Sequence, residues 1–243
     1  MAEKKRLAML CSGGGTTACQ IIRAVHNGGL TGIDPCLVVV SKEGAGAITA
    51  VRREGILPER VVVIARRRYA NAEEFGEKII EMCHRSGVNL IGQYGWLPTT
   101  PANVIKAFLG MMINQHPGPL DPGRPDFGGK GMYGRRVHCA RLLFVRWTGR
   151  NFFTEVTAQR VAEKVDQGTL LGQRTVEIRE NDTVDTLQQR ALLEEYKLHI
   201  KVLQQFSSGG VREITRGIPL VSENEVPILE KAKQAAILLY PNG

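Results

Sequence analysis

The chain has 243 residues, 43% of them hydrophobic and 23% charged, with 32 Lys and Arg against 24 Asp and Glu for a formal charge of +8. These are the proportions of an ordinary globular chain able to bury a core, which excludes a disordered segment, a collagen-like fibre and a disulfide-stapled miniprotein. No apolar run reaches the roughly 18 to 20 residues of a membrane span, and the opening stretch turns glycine-rich too early for a signal peptide, so the chain reads as soluble, cytoplasmic and without a membrane partner.

The first 115 residues alternate strand-like and helix-like patterns, the signature of a parallel sheet covered by helices. Arg6 to Cys11 is a short apolar run ending in a glycine turn. From Thr17 the pattern becomes helical, with Ala18, Ile21, Ile22 and Val25 on one face and Gly28-Gly29 closing the segment. Cys36 to Val40 and Val61 to Ile64 read as further buried strands, with a short helix from Ala47 to Arg53 between them. A helix from Ala72 to Arg85 places Phe75, Ile79, Met82 and Cys83 on one face, and Asn71 with Glu74 resembles a capping pair at its start. Val88 to Gln93 and Met111 to Asn114 complete five strands, with Pro101 marking the start of the helix between them.

Gln115 to Gly131 is rich in proline and glycine and reads as a long loop without helix or strand, the kind that often carries function. A basic helix follows, with Val137, Ala140, Phe144 and Trp147 predicted to face inward. Phe152 to Arg160 and Leu170 to Ile178 read as strands joined by a turn at Asp166-Gln167-Gly168, and Asp182 to about Phe206 as a long helix. The expected division is therefore a domain over residues 1–206 and a tail over 207–243 with a short strand and a helix near Val226 to Leu238.

The basic excess clusters at Arg52, Arg53, Arg60 and Arg66 to Arg68. Only 6% of residues are aromatic, so stacking surfaces for nucleic acid are not expected, and a small anionic ligand or a solvated basic face accounts for the charge. The five cysteines, Cys11, Cys19, Cys36, Cys83 and Cys139, are odd in number and include no C-x-x-C pair, the pattern of small buried hydrophobes. No histidine has a partner at metal-ligand spacing, so no metal is expected.

Three motifs carry chemistry. Ser12-Gly13-Gly14-Gly15-Thr16-Thr17 sits between the first strand and the first helix, where backbone N–H groups and the positive end of the helix favour a phosphate on Gly14, Gly15, Thr16 and Thr17. The same stretch matches G-x-G-x-x-A at Gly13, Gly15 and Ala18, with Glu43 as a possible ribose partner, which keeps an NAD(P)-dependent protein open. Asn114-Gln115-His116-Pro117 puts an amide and an imidazole two residues apart on extended backbone, so that both side chains point the same way and can hold one carbonyl oxygen. Asp166 reads alone as a turn residue; folded against His116, it would favour the charged imidazole and make an acid/base pair. Asp126-Phe127-Gly128 spells the kinase magnesium triplet without the accompanying kinase segments, and reads as a chance match.

Taken together, these pieces resemble the folate-dependent formyltransferases over roughly residues 5–206. The resemblance rests on Ser12 to Thr17 for S-G-x-G-S-N, Ser41-Lys42, Gly95-Trp96-Leu97 for G-F-M, Asn114 to Pro117 for N-I-H-P, and Val165 to Gly168 for D-x-G. It implies a Rossmann-like, open and mostly parallel sheet with helices on both faces, and transfer of a formyl group from 10-formyltetrahydrofolate, a cosubstrate, to the amine of glycinamide ribonucleotide. It implies catalysis by Asn114, His116 and Asp166, the acceptor phosphate on Gly14 to Thr17, and the folate against Leu97, Pro98, Thr99 and Asn114. Partners would be small molecules only, and the protein a monomer or homodimer. Thr17, Ala72, Pro98, Gln159 and the glycine-rich loop depart from the family pattern, in the acceptor and folate pockets more than at the catalytic three. Formyl transfer to another amine, such as an amino sugar, is the alternative, ahead of a non-catalytic nucleotide-binding module.

Overall fold

The computed structural model describes residues 4–243. Its seven strands form a mostly parallel sheet. The chain divides into two compact units, one of residues up to Gln115 with His199–Val211, the other of His116–Leu198 with Arg212–Gly243.

In the first unit, strands β1 (Lys5–Cys11), β2 (Ile33–Val40), β3 (Val61–Val63), β4 (Leu90–Gln93) and β5 (Met112–His116) run parallel in the order β3-β2-β1-β4-β5. The connecting helices are α1 (Thr16–His26), α2 (Gly46–Arg53), α3 (Ala72–Arg85) and α4 (Ala102–Ala107). Because β2 and β3 add to one side of β1 while β4 and β5 add to the other, right-handed crossovers place the two runs of helices on opposite faces. Accordingly α1 packs on α2, and α3 on α4. Strands covered on both faces read as unbroken apolar runs, and Leu7 to Cys11 and Val38 to Val40 are all buried.

Most strand boundaries shift by a residue from expectation, β4 starts at Leu90 and not Val88, and two differences have a clear physical reason or consequence. β2 starts at Ile33 and includes Pro35, because only β1 pairs with its first half and the ladder shifts register between Leu7 and Ala8, where the missing proline N–H is tolerated. β5 runs on to His116, so the histidine lies on the strand and not in the loop after it. Asn71 caps α3 as expected: its Oδ1 accepts the Glu74 N–H at 2.9 Å, and Glu74 reaches back to the Ala70 N–H at 3.1 Å.

The second unit is built on α5 (Arg135–Thr148), the antiparallel hairpin β6 (Phe153–Arg160) and β7 (Leu170–Glu177), the first part of α6 (Val184–Ser208), and α7 (Val226–Leu239). Val137, Ala140 and Phe144 of α5 are buried, joined by Val145 and by Leu229, Ala232 and Ala236 of α7. Trp147 is not inward: it is 44% exposed at the rim, with the Lys231 ammonium 5.2 Å over its ring. The inward position belongs instead to Arg141, whose guanidinium lies 5.0 to 5.7 Å from the rings of Phe127, Phe144 and Phe153 and donates to two backbone carbonyls. The tail strand is a single bridge, Ile214 against Leu170.

Candidate active site

In the first unit the glycine loop leaves β1 and enters α1 through Gly15, whose φ of 71° is left-handed. A side chain there would place its Cβ 2.8 Å from that of Ala47, so α2 approaches the loop closely only because Gly15 has none. The Ala47 N–H donates to Gly13 O at 3.0 Å, tying loop to helix. Gly15 offers no side-chain cap to α1, and the first turn of the helix holds no acidic residue. Gly13, Gly14 and Thr16 are exposed; Gly15 and Thr17 are buried.

Ser12 joins this loop to the turn after β4. Its Oγ accepts from the Leu97 N–H at 2.9 Å and from Ser41 Oγ at 2.7 Å, and the Ser12 N–H donates to Gly95 O at 3.0 Å. The strand ends on either side of the reversal in strand order are thus fixed together, at the position where open α/β sheets bind ligands. Leu97 is 56% exposed, with Pro98 half-buried and Thr99 exposed beside it. Trp96 turns the other way and stacks on Phe75, 6.3 Å between ring centroids. Asn114 lies half-buried on β5, in register with Gln93 of β4, whose side-chain amide donates to Thr100.

Within the second unit the fold brings together His116 and Asp166, 50 positions apart in sequence. His116 Nδ1 lies 3.5 Å from Asp166 Oδ2, longer than an ordinary hydrogen bond and within ion-pair range. The imidazole is 2% exposed, and its Nε2 is buried without a hydrogen-bond partner among the described residues. Asp166 takes a left-handed φ of 57°, a strained conformation that aspartate tolerates and that functional turns collect. Its Oδ1 accepts from Gln159 Nε2 and its Oδ2 from the Gly129 N–H, both at 2.9 Å. Gln159, noted in the sequence only as a departure, is therefore the residue that orients this carboxylate.

The proline- and glycine-rich loop has no helix or strand between Pro117 and Gly134, yet it is densely held. Asp126 is 5% exposed and accepts the N–H groups of Asp121 at 2.8 Å and Gly128 at 2.9 Å. Burial pushes its carboxyl up, while the charges of His116 and Lys233 act against that rise. The triplet set aside as a chance match is thus a built turn beside His116. His138 of α5 is buried too, and burial, with the nearby His116, pulls its imidazole down to about 4.

Two other features settle locally. Arg67 and Arg68 both pair with Glu43, which engages the carboxylate considered for a ribose, and Arg66 lies 6.0 Å from the Phe75 ring. All five cysteines are free and buried, as their spacing implied. Among the described residues no group of three His, Cys, Asp or Glu side chains could hold a metal ion, and no helix is long and apolar enough to cross a membrane.

Residues 5–203 match the model of the formyl transferase family. Among curated relatives, phosphoribosylglycinamide formyltransferase of Arabidopsis thaliana, described as chloroplastic, is 32% identical over 93% of this chain and 73% of its own length. The enzyme of the same name from Haemophilus influenzae is 26% identical over 86% and 90%. The crystal structure of phosphoribosylglycinamide formyltransferase from Brucella melitensis superposes with a TM-score of 0.71 at 26% identity, over 87% of this chain and all of that one. Family model, relatives and solved structure agree, and the chain belongs to the formyl transferase family.

Proposed function

We propose that this protein transfers a formyl group from 10-formyltetrahydrofolate to the amine of glycinamide ribonucleotide, acting on small molecules in the cytoplasm as a monomer or homodimer. The observation that carries the reading is the His116 ring: buried, faced at Nδ1 by an anchored carboxylate 3.5 Å away, and with Nε2 left without a hydrogen-bond partner among the described residues. A buried polar atom without a partner is costly unless a ligand meets it. The exposed Leu97 shelf, supported by the Ser12 bonds, fits a flat apolar ring that also needs backbone partners.

The folate supplies an electrophilic formyl carbon. The chain supplies the remainder: the glycine loop and the N-terminus of α1 hold the acceptor phosphate, which positions the amine without any covalent intermediate on the protein. The Asn114 amide and His116 Nε2–H donate to the carbonyl oxygen as negative charge grows on it, worth most in a site closed to water. In the charged ring both nitrogens carry a proton: Nδ1–H is directed to Asp166 and Nε2–H is left for the carbonyl oxygen.

Turnover with purified protein, followed by folate absorbance, tests this. Asn114→Ala, His116→Ala and Asp166→Asn should each lose on the order of 100- to 1,000-fold in kcat, the usual effect of removing one oxyanion donor or its support. Folate binding without turnover on this acceptor would redirect the search to another amine; absence of folate binding would overturn the reading.

A further inference from the structure

We infer that the C-terminal segment is a working part of the catalytic apparatus: Lys233 of α7, through the turn Asp126–Gly129, positions Asp166 against His116. This rests on the role proposed for His116 and Asp166.

The geometry is continuous and lies within one unit. Lys233 Nζ donates to Asp126 O at 3.2 Å and to Gly128 O at 2.9 Å, clamping the turn from outside. Inside the turn two successive amides serve two carboxylates: the Gly128 N–H goes to Asp126 Oδ1 and the Gly129 N–H to Asp166 Oδ2, both at 2.9 Å. A rotation of the turn that moves one amide therefore moves the other. Gly128 allows this closeness, because a Cβ there would stand 2.7 Å from Asp166 Cβ and 2.5 Å from Leu120 Cδ2. The start of the loop is pinned from the same segment. Arg216 Nε donates to Leu120 O at 2.6 Å, its guanidinium pairs with buried Glu155, and the Leu220 N–H donates to Asp121 Oδ2 at 3.1 Å. A turn of this composition has several conformations open to it, and the segment selects the one in which Asp166 faces Nδ1.

Apart from a 3.9 Å ion pair of Lys233 with Glu230 one turn earlier on α7, these bonds of Lys233 and Asp126 go to the loop, so both act as positioning residues and their loss should fall on kcat and not on substrate binding. Lys233→Met, which keeps the stem and removes the ammonium, and Asp126→Asn, which sets a donor against the Asp121 N–H, should each lower kcat roughly 10- to 100-fold, the effect of misplacing a reacting group by about 1 Å. KM for both substrates should stay within about two-fold. Lys233→Arg should recover most of the loss. Thermal melts run beside the kinetics identify folded variants; where Lys233→Met does not fold, Asp126→Asn decides. A wild-type kcat in either folded variant, or a loss that appears in KM instead, overturns the relay. His116→Ala is measured in parallel: if it is inactive while a folded relay variant is fully active, the relay alone fails, and if it retains wild-type turnover, the proposed catalytic reading fails and the relay with it.

Discussion

Asp166 shows what one residue must satisfy here. It adopts a left-handed backbone, accepts from a side-chain amide and a main-chain amide, and still faces an imidazole 3.5 Å away. Its neighbour Gly128 has correspondingly little freedom. In Gly128→Ala the added methyl must displace either Leu120 or Asp166; overpacking of this kind costs roughly 1 to 3 kcal/mol, so a lowered melting temperature with a disproportionate fall in kcat is expected, measured by calorimetry and steady-state kinetics. At this scale the sequence was readable where chemistry is local. Asn114 and His116 share a strand face by simple alternation, so their common direction followed from spacing alone. Asp126 was not readable, because its partners come from the turn itself and from Lys233, more than a hundred positions later. Gln159 was visible only as a departure, since nothing local says that a strand residue faces a turn seven residues on.

Among the elements, the ones with strong periodicity or caps were placed closely by the sequence: α3 spans Ala72–Arg85 as expected, and its Asn71 cap is formed. Asn71→Ala should cost about 1 kcal/mol, the usual loss of an N-cap, with unchanged kcat, checked by denaturant unfolding. The α5 helix was read correctly in extent and wrongly on one face. Trp147 lies three positions past Phe144, at the edge of the apolar stripe, where the ring meets the Lys231 ammonium instead of the core. Arg141 took the interior because three aromatic faces and two carbonyls offset the burial of its charge, a compensation that a pattern of apolar positions does not contain. β2 began three residues early for a similar reason: a proline argues against a strand only where a partner needs its N–H.

For the whole molecule, two buried histidines contribute to the response to acid. Burial holds His138 down to about 4 and His199, packed edge-on against Tyr94 at 5.4 Å, down to about 3, both below the ordinary 6.5. The unfolded chain therefore takes up protons below pH 6.5 that the folded chain refuses, and stability falls as pH drops from 6.5 toward 4 for His138 and toward 3 for His199. Each contributes up to about 1.4 kcal/mol per pH unit within its window. His199→Phe should flatten the acid limb of a melting-temperature profile recorded between pH 7 and pH 4; an unchanged slope would show that His199 does not titrate on unfolding. The alternating sheet and helix order of the first unit could be read because each piece buries its own apolar run, whereas the place of residues 212–243 could not, since Lys233 and Arg216 bonding to backbone carbonyls leave no periodic trace.

The clamp on the catalytic turn also sets an order in time. Synthesis runs from the N-terminus, so Arg216, Leu220 and Lys233 emerge from the ribosome after His116, the turn Asp126–Gly129 and Asp166 have all been made. A nascent chain halted at Val211 would hold every proposed catalytic residue and lack the groups that fix their arrangement. Competence for the reaction would then arrive with the segment from Arg216 to Lys233, as one step after the catalytic residues are made, and not grow in proportion to the length of chain already folded.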